Sequence, residues 1–156
     1  MAWYPFHSVH LKMNKSLTIF LTLLCHGCNH SPEYSNDLIE KGEKHFKSLR
    51  QLTFSGENAE AYFNLDGTKL IYQAHDDDSL CDQIYIMDIK TEASELVSTG
   101  GGTTTCSYFE YPETKNFIYA STHLGSKSCP EKPDYSRGYV WKLYPDFDIF
   151  RASSNG

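Results

Sequence analysis

The chain has 156 residues, 40% hydrophobic and 14% aromatic, enough to fill the core of one ordinary domain. Its formal net charge of −6, with Lys and Arg scattered, excludes a broad phosphate-binding surface, so no nucleic-acid partner is expected. Eleven tyrosines and nine phenylalanines favour strands over helices, because aromatic side chains pack well on a pleated, half-buried surface.

Residues 1–28 read as a secretory signal. Lys12 and Lys15 precede the uncharged apolar run Leu17–Cys25, and Gly27-Cys28 follow it. The run is too short to cross a hydrocarbon core of roughly 30 Å as a helix. Met13 stands better than Met1 before this pattern, which fits residues 1–12 being an upstream extension. Two fates of the segment stand open: ordinary cleavage, or lipid modification of Cys28, which follows Gly27 as in a lipoprotein signal but has Cys25 where Leu is usual. Either places the chain in the periplasm or cell envelope, the second with an outer-membrane anchor.

Residues 29–45 are expected to form a linker and a short helix. Turn formers fill 29–36, and Leu38, Ile39 and Phe46 supply apolar positions for a helix from Asp37 to about Lys47, with Gly42 inside it. Leu49–Phe54 reads as a strand, broken by Ser55-Gly56-Glu57-Asn58.

From there the chain repeats itself. Tyr62-Phe63 recurs as Tyr108-Phe109, an offset of 46 (108 − 62), and Ile71-Tyr72 as Ile118-Tyr119, an offset of 47 (118 − 71). Asp66-Gly67 between two apolar runs predicts a hairpin, because Gly accepts positive φ. The second copy uses a longer turn over Pro112–Asn116. Third strands are expected at Gln83–Asp88 and Asp148–Ser153, and a fourth at Ser94–Ser98. Copy two then carries an insertion of roughly 18 residues before its third strand. Four short antiparallel strands in one repeat predict a blade of a β-propeller, so residues 46–156 are expected to be all-β, an incomplete set of about two blades. A small standalone β-sandwich is the competing reading.

The residues Leu65–Tyr72 followed by Gln83–Asp88 resemble the WD40-like (PD40) repeat of TolB-like propellers: an Asp-Gly hairpin, an apolar strand, then an Ile-Tyr strand ending in Asp. The resemblance covers about residues 46–156. It implies a scaffold that binds protein or another polymer in the bacterial envelope. The same repeats build the accessory propeller of S9 prolyl-oligopeptidase-type peptidases, which is the alternative role. It also implies that an N-terminal strand such as Leu49–Thr53 completes the last blade.

No nucleophile elbow, phosphate loop or zinc-protease motif follows residue 28, so no catalytic residue, cofactor or metal set is expected here. Cys81, Cys106 and Cys129 are expected on one rim, Cys106 in the loop entering the second blade. The pairings considered are Cys81–Cys106 and Cys106–Cys129, against three unpaired thiols. His75, Asp76, Asp77, Asp78 and His123 share that rim and read as a solvated acidic loop. The insertion over 122–146 carries Tyr135, Arg137, Tyr139, Trp141 and Tyr144, residue types that dominate binding hot spots, and is expected to contact the partner.

Overall fold

A computed structural model describes residues 36–76 and 81–154, all within the unit Ser31–Gly156. The signal segment, Cys28, Asp77 and Asp78 lie outside the described residues. Seven strands follow in chain order: β1 Glu57–Phe63, β2 Lys69–His75, β3 Gln83–Asp88, β4 Ser94–Leu96, β5 Thr104–Phe109, β6 Asn116–Ser121 and β7 Asp148–Ser153. They make two antiparallel sheets, β1-β2-β3-β4 and β5-β6-β7. The described chain is therefore all-β.

The turns form where local chemistry demands them. Gly67 takes φ +71° in the β1–β2 turn, and Asp66 Oδ1 accepts bonds from the Thr68 amide and hydroxyl. Asp88 Oδ1 accepts from Thr91 N at 2.8 Å and Thr91 Oγ1 at 2.9 Å in the β3–β4 turn. The Thr68 hydroxyl holds the Asp66 carboxyl below the usual carboxylate range, and the Thr91 amide does the same for Asp88. A depressed folded-state pKa contributes stability above the unfolded value and loses it as pH falls through the folded one. The denaturant midpoint is therefore expected to fall as pH drops below about 4, modestly because both groups are exposed. In the Asp66→Asn, Asp88→Asn double variant this acid dependence should flatten; an unchanged slope in equilibrium unfolding at several pH values would refute the assignment.

The repeat extends to a backbone defect. The β1–β2 register shifts between Ala59 and Tyr62, where Glu60 has φ +52°. The β5–β6 register shifts between Thr105 and Tyr108, where Cys106 has φ +53°. Both sheets thus carry a bulge at the same repeat position, with a non-glycine residue in the left-handed region. Cys106 accordingly sits within β5 rather than in the loop before it.

The faces that meet are not equivalent ones. Strand pairing places Ile71, Ile84 and Ile86 on one face of the first sheet, and these pack with Phe109, Phe117 and Tyr119 of the second. The second-sheet residues equivalent to Ile71 and Ile84 are Ile118 and Ile149, which point the other way and are exposed. Phe117 and Tyr119 instead correspond to Leu70 and Tyr72, on the far face of the first sheet. The sheets are stacked head to tail. The equivalent rings of Tyr62 and Tyr108 touch edge to face at 5.0 Å between centroids.

Two expectations need correction. The helix from Asp37 to Lys47 does not form; turns replace it, and Gly42 takes φ +105°. A segment with three separated apolar positions and a central glycine gains too little from burial to offset the cost of nucleating a helix. Leu49–Phe54 is not a strand beyond a single bridge at Leu49. Leu52 packs on Leu70, Tyr72, Ala74 and Met87, and Arg50 Nη2 donates to the Ile89 carbonyl at 2.7 Å. The segment covers the far face of the first sheet rather than extending an edge. Its break is also shorter than expected, since β1 already starts at Glu57.

Candidate binding cleft

The site forms at the end of the sheets where β2 meets β3. His75 closes β2 and Asp82 immediately precedes β3, so the hairpin sets them opposite one another. His75 Nδ1 donates to Asp82 Oδ1 at 2.6 Å, and Gln73 Nε2 donates to Asp82 Oδ2 at 2.9 Å. Gln73 Oε1 accepts from Thr105 Oγ1 at 2.9 Å and from the Cys106 amide at 3.1 Å. The bulge of β5 is thus tied through Gln73 to the His75–Asp82 pair, which fixes the floor of the site across both sheets. Gly56, at the entrance to β1, lies so close to this strand end that a Cβ on it would stand 2.1 Å from the His75 carbonyl oxygen. Only glycine permits that approach.

The insertion between β6 and β7 has no helix or strand and builds the wall. It is pinned by a disulfide between Cys81 and Cys129 and by a bond from Gly102 N to the Lys127 carbonyl at 3.0 Å. Further along, Tyr144 Oη donates to the Glu131 carbonyl at 2.9 Å, and Ser136 N bonds the Asp134 carboxylate, which that bond holds below its usual pKa. The cleft between wall and floor has a volume of about 530 Å³ and is lined by Tyr135, Tyr139 and Tyr144 on one side and by His75, Asp82 and Glu57 on the other. That size is in the range of small-ligand and side-chain pockets. The Tyr135 and Tyr139 rings stack on each other with centroids 6.4 Å apart.

Of the five insertion residues singled out in the sequence, Tyr135, Tyr139 and Tyr144 line the cleft. Arg137 is exposed at the Tyr135–Gly138 turn, and Trp141 is exposed outside the cleft lining. The cysteine pairing differs from both pairings expected: Cys81 bonds Cys129, and Cys106 is a free exposed thiol. The physical reason is the bulge, which carries Cys106 within β5 beside Gln73 while the insertion brings Cys129 to Cys81. The His123 ring lies 4.2 Å from that of Phe150 and tilted to it by 46°, with its Nδ1 2.9 Å from Ser121 Oγ. Glu57, Gln73 and Asp82 were not singled out. The available signal was position, since residues flanking a hairpin loop face each other across it.

The His75 imidazole is held by a carboxylate on Nδ1 and has Glu57 Oε2 4.0 Å from Nε2. The Nδ1 bond to Asp82 fixes the orientation of the ring and, through Gln73, joins it to the second sheet. The result is an open cleft with tyrosines on one wall and His75, Asp82 and Glu57 on the other. No protein-family model, curated protein or solved structure matches the chain.

Proposed function

We propose that the chain is an exported stacked-repeat scaffold of the β-propeller kind, which binds a protein or other envelope polymer at its loop-walled rim. The observation that carries this reading is the head-to-tail meeting of two copies of one bulged sheet. In a two-fold sandwich, equivalent faces meet and the assembly closes. Where unlike faces meet, each added sheet presents again the face that the previous one covered, which is how propellers and solenoids grow. The contact between equivalent residues Tyr62 and Tyr108 supports a common axis near β1 and β5. The TolB-like character of Leu65–Tyr72 and Gln83–Asp88 supports the same reading.

Export is supported by the signal-like residues 1–28 and by the Cys81–Cys129 bond, since disulfides persist in oxidising compartments. Cys28 would supply membrane attachment if lipidated. Rim binding is supported by the tyrosine wall: Tyr carries large, stiff contact area at low entropic cost. Photo-cross-linking in the full chain, expressed in a bacterium, tests the proposal. A photoreactive phenylalanine analogue in place of Tyr139 should give a discrete adduct in the envelope fraction, and the same analogue in place of Glu95 on β4 should give none. Protein confined to the cytoplasm, or identical adducts from both positions, would overturn it.

A further inference from the structure

Accepting the rim as a binding site, we propose that residues 139–143 of the insertion pair backbone to backbone with an extended strand of a polypeptide partner, one with apolar side chains at alternate positions and carboxylates between them. Trp141 and Arg137, which the cleft leaves unused, have their role in this pairing.

The run from Tyr139 to Tyr144 has no turn or bend in it. Tyr139, Trp141 and Leu143 are 87%, 71% and 76% exposed, whereas Val140 is 44% exposed and Tyr144 is half-buried. An extended chain points successive side chains to opposite sides. The three most exposed apolar side chains therefore fall at alternate positions on one side, which is a strand pattern turned outward. Lys142, on the other side, sets its Nζ 5.2 Å from the centre of the Tyr144 ring. Among the described residues, the backbone amides and carbonyls of 139–143 make no hydrogen bond. The chain on either side does: Gly138 N donates to the Tyr135 carbonyl at 3.0 Å, and Phe147 N donates to the Tyr144 carbonyl at 3.2 Å.

These two observations together select the partner. A bilayer would take Trp141 and Leu143 but would strip water from a backbone that has no other partner, which hydrocarbon does not tolerate. A glycan can stack on the aromatic rings but has no row of amides and carbonyls at strand spacing. An extended polypeptide supplies both the row and the side chains to meet Tyr139, Trp141 and Leu143. A second copy of the same segment would do so too. However, residues 137–144 carry Arg137 and Lys142 and no carboxylate, so self-pairing would set two cations from each copy in one small ribbon. A strand with acidic residues complements those charges instead.

The test adds acetyl-Glu-Val-Glu-Val-Glu-Val-Glu-amide to the full chain and follows the backbone amides of 139–143 by hydrogen exchange. Pairing along one edge uses the amides of alternate residues. All five should exchange fast in the free chain. Saturating peptide should slow either 139, 141 and 143 or 140 and 142 by at least about tenfold and leave the other set fast. A peptide of the same composition with its valines grouped at one end should give no such protection. Trp141→Ala should weaken binding by about tenfold, and the Arg137→Gln, Lys142→Gln double variant should weaken it and flatten its salt dependence. Absent or uniform protection, equal binding of the two peptides, or unchanged affinity in Trp141→Ala would overturn the proposal. So would phosphatidylglycerol vesicles, or dimerisation of the chain, taking up the segment in the peptide's stead with loss in Trp141→Ala. Envelope cross-linking at Tyr139 without alternate protection would sink the strand partner alone and leave the rim-binding reading in place.

Discussion

Replacing Cys81 and Cys129 together by serine is expected to lower the unfolding free energy by about 4 kcal/mol, the value that loop-closure entropy assigns to a link with a sequence separation of 48. The Cα atoms of the pair are 5.7 Å apart, within the usual span of a disulfide. The cost should be larger than that of most single contacts because the link joins the β2–β3 rim of the first sheet to an insertion with no regular structure of its own. Without it the insertion keeps only local turns and a few bonds such as Gly102 N to Lys127 O. Guanidinium unfolding of the wild type with and without reductant, beside the double variant, measures the effect. Reductant should destabilise the wild type by the same amount and leave the variant unchanged. In the folded protein Cys106 should alkylate while Cys81 and Cys129 do not. Peptide mapping that finds Cys106 in a bridge, or a double variant as stable as wild type, would refute the assignment.

The same loss should reach the cleft. Tyr135, Tyr139 and Tyr144 are all carried by the segment that follows Cys129, so their placement over His75 and Asp82 depends on where that segment starts. The disulfide variant is therefore expected to lose rim cross-linking even under conditions where both sheets remain folded. That separates two roles of the link, holding the unfolded chain compact and positioning the wall of the site.

What could be read from residues alone divides by the range of the interactions involved. The third strands Gln83–Asp88 and Asp148–Ser153 were legible to the residue, because alternating apolar and β-branched side chains bounded by turn formers specify them locally. The Asp66-Gly67 hairpin was legible for the same reason. The helix over Asp37–Lys47 was misread because amphipathic spacing matters only if a partner face exists to bury it. Leu49–Phe54 was misread because it satisfies its apolar residues by lying across a sheet face, a choice that no local pattern encodes. The site was half legible. Aromatic richness in a long insertion marked three of its tyrosines, but the Gln73–Asp82–His75 floor and the Cys81–Cys129 link arise from tertiary neighbours. The bulge at Cys106 has the sharpest lesson. A single left-handed residue in β5 puts the Cys106 amide on Gln73 and leaves its thiol exposed, where spacing places the residue in a loop.

Phe117→Ala is expected to cost about 3–5 kcal/mol, whereas Ile118→Ala beside it should cost under about 1 kcal/mol. Phe117 is fully buried between the sheets, packed with Ile71, Ile84, Ile86, Phe109 and Tyr119. Its ring stands 5.7 Å from that of Tyr119, which continues to Phe150 at 5.8 Å. Removing it opens a cavity at the point where the two sheets meet, and the surrounding β-branched side chains are too stiff to collapse into the space. Ile118, one residue on, points to the opposite face, where it is 40% exposed beside Ile149 at 73%. Equilibrium unfolding of both variants decides which face of β6 is inside. The comparison also bears on the propeller reading, because that reading requires Ile118 and Ile149 to repeat the role of Ile71 and Ile84 toward a further sheet. If Ile118→Ala were the costly change and Phe117→Ala the cheap one, the sheets would meet through equivalent faces. The stack would then be a closed sandwich, and no rotation about a common axis could extend it.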